Sequence, residues 1–262
     1  MYETIIVETR DSADWLTLNR PDHLNAINPL MCEELQHYFS GLFKKPQTRV
    51  VVLKGSGRAF CAGYDLNETD NITNGTIKEG IRFQRQVSEV YMLMRRCPQP
   101  IICLAHGAAT GGGFAFALAS DIRIIEKDTK MNVAMIKVGL TGCDVGISYF
   151  LPRSVGQSIA AELMMTGRLI DAERAEKINL VSKVVDKNDL EETGSQMAKD
   201  MLQTSAMGLC FTKEGLNISI DANSLESIVA LEDRGQILCS AAGYFKEGID
   251  AFKERRPPDY SE

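Results

Sequence analysis

Residues 101–120 read "IICLAHGAATGGGFAFALAS", a twenty-residue run with no acid and His106 as its one basic side chain. Its length would cross a bilayer. Four glycines and the histidine interrupt it, however, so it reads as a buried strand, a glycine turn and a buried helix. Both pieces are apolar all round, and other apolar elements must therefore cover them on every side. That requirement selects a large, layered α/β domain.

The rest of the chain supplies such layers. "ETIIVET" and "WLTLNRP" alternate as strands on either side of the polar turn "RDSAD". "LNAINPLMCEELQHYFSGLF" has helical spacing, and "RVVVLKGSG" is a β-branched run of the kind buried on both faces. Residues 65–77 read as a polar loop and 78–96 as an amphipathic helix. "QPIICLAH", "DIRIIEKD" and "LVSKVV" are further strands. From about Pro152 helices dominate: 156–166, 171–178 with Asn179 as a left-handed C-cap, 187–204, and two amphipathic helices within 223–253 that two prolines stop. The expected division is a core over 1–195 and a helical oligomerisation region over 196–262.

Composition excludes several function classes. Formal charge is −6 and there is no long basic run, which argues against nucleic acid. Seven cysteines without a CxxC pair, and no Cys/His spacing, argue against a metal site and read as reduced thiols of a cytoplasmic protein. Four N-x-Ser/Thr triplets, at Asn67, Asn71, Asn74 and Asn217, are read as chance matches in polar sequence. No membrane partner is expected.

Two segments carry the chemistry. "GRAFCAGYDL" (57–66) and "HGAATGGGFAFALASDIRI" (106–124) each follow a buried strand and place small residues where the chain turns. In the second, Gly111, Gly112 and Gly113 open a helix, whose first N–H groups have no intrahelical partner and point outward with the helix dipole behind them. Two such donors from different loops can grip one developing oxyanion, each contributing about 3 kcal/mol to a transition state. Tight strand–helix packing is the alternative reason for such glycines.

Together with "LNRPDHLNAIN", "GLTGCDVGISYFLPRSVG" and "LMMTGRLIDAERAEKINLVSKVV", these segments resemble the crotonase (enoyl-CoA hydratase/isomerase) superfamily nearly end to end. The resemblance implies an α/β spiral of repeated ββα units with a C-terminal helical trimerisation region, assembled as a homotrimer or homohexamer. It implies acyl-CoA thioester substrates and no cofactor beyond the coenzyme A that the substrate carries. By position it assigns the enolate-stabilising N–H groups to Tyr64 and Gly112, with Ala62, Gly63 and Gly111 beside them.

Hydratases of this family carry two glutamates, and their positions here are Ala115 and Met135. Neither residue titrates. Asp144 is the remaining candidate, aligned through Leu151-Pro152-Arg153 with an aspartate found in two branches. In certain enoyl-CoA isomerases, the phenylacetate-pathway ring-epoxide isomerase among them, that acid shuttles a proton. In 4-chlorobenzoyl-CoA dehalogenase it is a nucleophile. The bland reading of Asp144 is an N-cap for a helix starting near Val145. The readings left open are a double-bond isomerase using Asp144, a hydratase with atypical acid–base residues, a hydrolase or dehalogenase, and a non-catalytic acyl-CoA binder.

Weaker candidates complete the set. Met92, Met94 and Met135 are candidates to line an acyl pocket, although methionine at helical spacing is commonly core. Tyr149 and Phe150 border the site or pack beneath it. Lys253, Arg255 and Arg256 are candidates for coenzyme A phosphates. His106 is expected to be a hydrogen-bonded core residue, Asp65 to brace its loop, and His23 and His37 to lie at the surface.

Overall fold

The computed structural model describes residues 2–69 and 74–260, so the Asn71 triplet lies outside the described residues. Strands β1 (Ile5–Arg10) and β2 (Ala13–Leu18) form an antiparallel hairpin turned by Asp11 and Ser12, both at positive φ. β3 (Val50–Gly55), β4 (Ile101–Ala105), β6 (Ile122–Glu126) and β8 (Lys183–Val185) extend it in parallel, in the order β1-β2-β3-β4-β6-β8. A second sheet pairs β5 (Ala108–Thr110) with β7 (Lys130–Asn132).

Both faces of the main sheet are buried, as the continuous apolar strands require. Val51, Leu53, Ile101 and Cys103 point into one core, and Val50, Val52, Ile102 and Leu104 into the other. The first core is closed by α1 (Pro29–Gly41), α2 (Ile77–Arg96) and α3 (Gly112–Ala119). α3 buries every residue from Gly113 to Ala119, which is why its sequence has no polar face. Then come α4 (Ile147–Val155), α5 (Gln157–Thr166) and α6 (Ala172–Lys177). α7 (Leu190–Leu202) closes the second core with Leu190 and Ala198.

Local chemistry sets the ends. Asn28 accepts the Met31 amide at the start of α1, and Thr76 with Glu79 forms a capping box on α2. Asn179 takes the left-handed conformation expected of it, with φ 57°. The last helix differs from expectation: α10 (Tyr244–Glu254) ends in a left-handed Arg255, ahead of the prolines.

α8 (Ala206–Ser219) answers to no pattern found in the sequence, because its one buried residue is Lys213. The Lys213 ammonium donates to the carbonyls of Met94 at 3.0 Å and Gln99 at 2.8 Å, and pairs with Asp121 at 3.0 Å. α9 (Leu225–Ala241) and α10 leave Leu225, Ile237, Phe245 and Phe252 largely exposed. Among the described residues no helix is long and apolar enough to cross a membrane, and 101–120 is the strand–turn–helix that its glycines imply.

Candidate active site

The two glycine-bearing loops are stitched together. Cys61 and Ala109 form a parallel bridge, the Thr110 amide donates to the Cys61 carbonyl, and the Thr110 hydroxyl donates to the Ala62 carbonyl at 2.9 Å. Contact is close enough to require glycine. A Cβ on Gly63, at φ 96°, would stand 2.9 Å from the Thr110 carbonyl oxygen and 3.5 Å from the Gly112 nitrogen.

Many of the amides flanking these turns have acceptors. In the first, Ala62 donates to the Leu24 carbonyl, Gly63 to the Cys61 thiol and Asp65 to the Ile27 carbonyl. In the second, Thr110 donates to Cys61 and Gly111 to the Asn132 carbonyl. Tyr64, a bridge residue facing away from Ile27, and Gly112, the opening residue of α3, have amides with no acceptor among the described residues. Two unengaged donors on adjoining loops suit one oxygen that gains negative charge.

The first loop is braced from behind by Asp65, as expected. Its carboxylate caps the short 3-10 turn Leu66–Glu68 through the Asn67 amide and pairs with Arg20 at 3.0 Å. Burial pushes that carboxyl up, but the Asn67 amide and the Arg20 guanidinium outweigh it and hold the group below its ordinary value.

Asp144 lies half-buried between α3 and α4, and it does not cap α4. The helix begins at Ile147 with Gly146 in the N-cap place and no side-chain cap, so the capping reading is overturned. The Asp144 carboxylate instead accepts the Gln84 amide at 2.6 Å and the Val145 N–H. Val145 holds φ 39° to make this turn, a region that β-branched residues avoid, and such strain gathers at functional sites. Burial raises the Asp144 carboxyl above its ordinary value, while the Val145 and Gln84 hydrogen bonds oppose that rise.

Tyr91 connects the two halves. Its hydroxyl donates to the Gly112 carbonyl at 3.1 Å and its ring stacks on Phe116 with centroids 4.8 Å apart. Burial keeps this phenol protonated, with the Asp144 charge adding to the effect. Ala115 is fully buried and Met135 nearly so, and neither brings a titratable group to the site.

A cavity of about 1160 Å³ opens beside Tyr91, Val145 and Gly146 and runs on past Met92, Tyr149, Phe150 and Cys210. Of the methionine candidates, Met92 lines it, whereas Met94 is fully buried core. Tyr149 and Phe150 both line it, and the Tyr149 hydroxyl donates to Asp221. His106 departs from expectation: it is half-exposed, with its ring near the Gly57 carbonyl at 3.1 Å. His23 and His37 are exposed. Arg256 is bound to Glu247 and Glu254, Lys253 is exposed, and none of their hydrogen bonds or ion pairs reaches the site. Gln84 and Lys213 were invisible in the sequence, since a glutamine on an amphipathic helix and a lysine on a weakly patterned one carry no signal. Among the described residues no group of three or more His, Cys, Asp and Glu side chains could hold a metal ion.

Sheet order, paired glycine loops and terminal helices define a crotonase-fold protein. The solved structure of an enoyl-CoA hydratase from Bacillus anthracis superposes with a TM-score of 0.92 at 30% identity, covering 98% of this chain and 99% of that one. The model of the enoyl-CoA hydratase/isomerase family matches residues 8–262, and the chain belongs to that family. It is 32% identical over 262 residues to the 1,2-epoxyphenylacetyl-CoA isomerase of Escherichia coli K12, spanning 100% of this chain and 99% of that protein. It is 34% identical over 265 residues to "Probable enoyl-CoA hydratase EchA12" of Mycobacterium tuberculosis H37Rv, spanning 98% and 92%. The protein is thus an enzyme of a family that acts on acyl-CoA thioesters.

Proposed function

We propose that the protein is an enoyl-CoA isomerase in which Asp144 moves a proton between two carbons of the acyl chain. With a 3-enoyl-CoA, the Asp144 carboxylate takes a proton from C2. The electron pair spreads into a dienolate, whose charge sits on the thioester oxygen between the Tyr64 and Gly112 amides. Asp144 then returns the proton to C4, giving the 2-enoyl-CoA with no water consumed and no other reactant.

The observation that carries this reading is a half-buried carboxylate and two amides without acceptors, Asp144, Tyr64 and Gly112, all contacted by α2, with Ala115 and Met135 where hydratases have glutamates. Adding water needs that water placed, activated and its protons managed, a task for more than one group. A 1,3-proton shift needs one. The likeness to the E. coli isomerase accords with it. Ala62, Gly63 and Gly111 shape the oxyanion site, Met135 and Tyr149 the acyl side. Lys253 and Arg256 would meet coenzyme A phosphates only in an assembled homotrimer or homohexamer, which we place in the cytoplasm.

Incubation with 2-enoyl- and 3-enoyl-CoAs, followed by NMR of the double-bond position, tests the proposal. Migration of the bond supports it. A 3-hydroxyacyl-CoA product would make the protein a hydratase, free coenzyme A a hydrolase, and unchanged substrate a binding protein.

A further inference from the structure

α2 runs alongside the whole site. Gln84, Ser88 and Tyr91 follow the spacing i, i+4, i+7 and share one face of it. At one end Tyr91 holds the Gly112 carbonyl, in the middle Ser88 lines the cavity, and at the other Gln84 holds Asp144. Phe83, next to Gln84, packs edge-on against the Tyr64 ring at 5.3 Å. One rigid helix therefore touches both amide-bearing residues and the carboxylate.

Gln84 is exposed and has water available as an alternative partner. Holding its amide in one place costs rotamer freedom. The compensation is a 2.6 Å hydrogen bond to an anionic acceptor, the stronger kind. Resting on the reading of Asp144 as the proton carrier, we infer that Gln84 is its positioning residue, fixing the carboxyl plane through Oδ1 and leaving the other oxygen to carry the proton.

A neutral amide suits that task. A cation in its place would stabilise the carboxylate and weaken it as a base, and a second carboxylate would repel it. The groups around Asp144 leave this role to Gln84. From α2 it faces Gln84 and the protonated Tyr91, and from its own loop the Val145 N–H. On α4, Tyr149 and Arg153 are engaged with Asp221. Burial raises the proton affinity of Asp144, and the Val145 and Gln84 hydrogen bonds lower it.

The test compares Gln84→Leu, Gln84→Glu and Asp144→Asn with the wild type. An isotope-edited infrared titration reads the Asp144 carboxyl directly, assigned by its loss in Asp144→Asn. Gln84→Leu removes a hydrogen bond to the charged form, so the titration should move to higher pH, and Gln84→Glu should move it further. The pH–rate limb should move in the same direction, with kcat lower by about tenfold to a hundredfold and KM little changed. An unmoved carboxyl titration in Gln84→Leu overturns the positioning role, whatever Asp144 does. A moved titration with an unmoved rate limb, or full turnover in Asp144→Asn, overturns the reading of Asp144, and the inference falls with it.

Discussion

The Tyr91 hydroxyl donates to the Gly112 carbonyl at 3.1 Å, and a Cβ on Gly112 would stand 2.9 Å from that same hydroxyl. α2 thus leans on the opening turn of α3 so closely that a methyl group at Gly112 would press on Tyr91 on one side and, at 2.7 Å, on Ile27 on the other. Both obstacles are side-chain ends that can shift. Two substitutions then separate shape from chemistry. Gly112→Ala adds the carbon and keeps the N–H, while Gly112→Pro adds the carbon and removes it. Proline is tolerated at the first position of a helix. The proline variant should turn over about 10²–10³-fold more slowly than the alanine variant. Equal rates would remove Gly112 from the oxyanion site.

Asp144→Asn should slow turnover by about 10²–10⁴-fold, the usual cost of a missing general base. Acyl-CoA affinity should survive, because the Tyr64 and Gly112 amides are untouched. In deuterated water the wild type should keep part of the substrate's own hydrogen, since one carboxyl carries it from carbon to carbon. Complete solvent exchange would assign removal and return to different groups.

The raised proton affinity of Asp144 sets two pH dependences. As a base it must be ionised, so kcat/KM should climb with pH along a limb above the ordinary aspartate range. Stability moves the other way. Between the unfolded and folded values of this group the native state binds more protons, so stability falls as pH rises through that window. At neutral pH the ionised carboxylate is then a small burden on the fold. Asp144→Asn should melt no lower than the wild type there, as Gly146 and not Asp144 occupies the cap position of α4. A variant melting several degrees lower would mean that Asp144 holds the loop together.

These expectations rest partly on sequence and partly on structure, and the division has physical causes. Strands such as Val50–Gly55 are apolar on both faces, and Gly111-Gly112-Gly113 marks a helix opening that little else would produce. Both were legible because burial and backbone geometry restrict residue type. The start of α4 was misplaced because Asp144 looks like a cap, while the actual turn runs through Val145 and Gly146 at positive φ. α8 was missed because its inward face presents a lysine, and hydrophobic periodicity cannot register an ammonium held by two carbonyls. Gln84 was missed because its role depends on a partner 60 residues away in the chain.

The exposed apolar side chains of the terminal helices predict assembly. Phe252 is 85% exposed, Leu225 74% and Ile237 69%, side chains that a partner surface would cover. Sedimentation at micromolar concentration should give a trimer or hexamer, and Phe252→Asp with Ile237→Asp should weaken it. A stable wild-type monomer would refute this and would also withdraw Lys253 and Arg256 from any site built by a neighbour.

Lys213 should matter for stability more than any exposed ion pair. Its side chain is 4% exposed, and its ammonium joins the end of α2, the Gln99 carbonyl ahead of β4, and Asp121 ahead of β6. Lys213→Met keeps the length of the side chain and removes the charge, stranding the Met94 and Gln99 carbonyls. Asp121 retains Arg95 at 3.0 Å, so the loss should sit at the lower end of the range for a broken buried pair, about 3 kcal/mol. For a chain of this size that corresponds to a Tm lower by about 10 °C. Because Lys213 and Tyr91 line the same cavity, loosening α8 should also raise KM for long acyl chains more than for short ones. A Tm within a degree or two of the wild type would show that α8 is held by its neighbours in the assembly and not by this lysine.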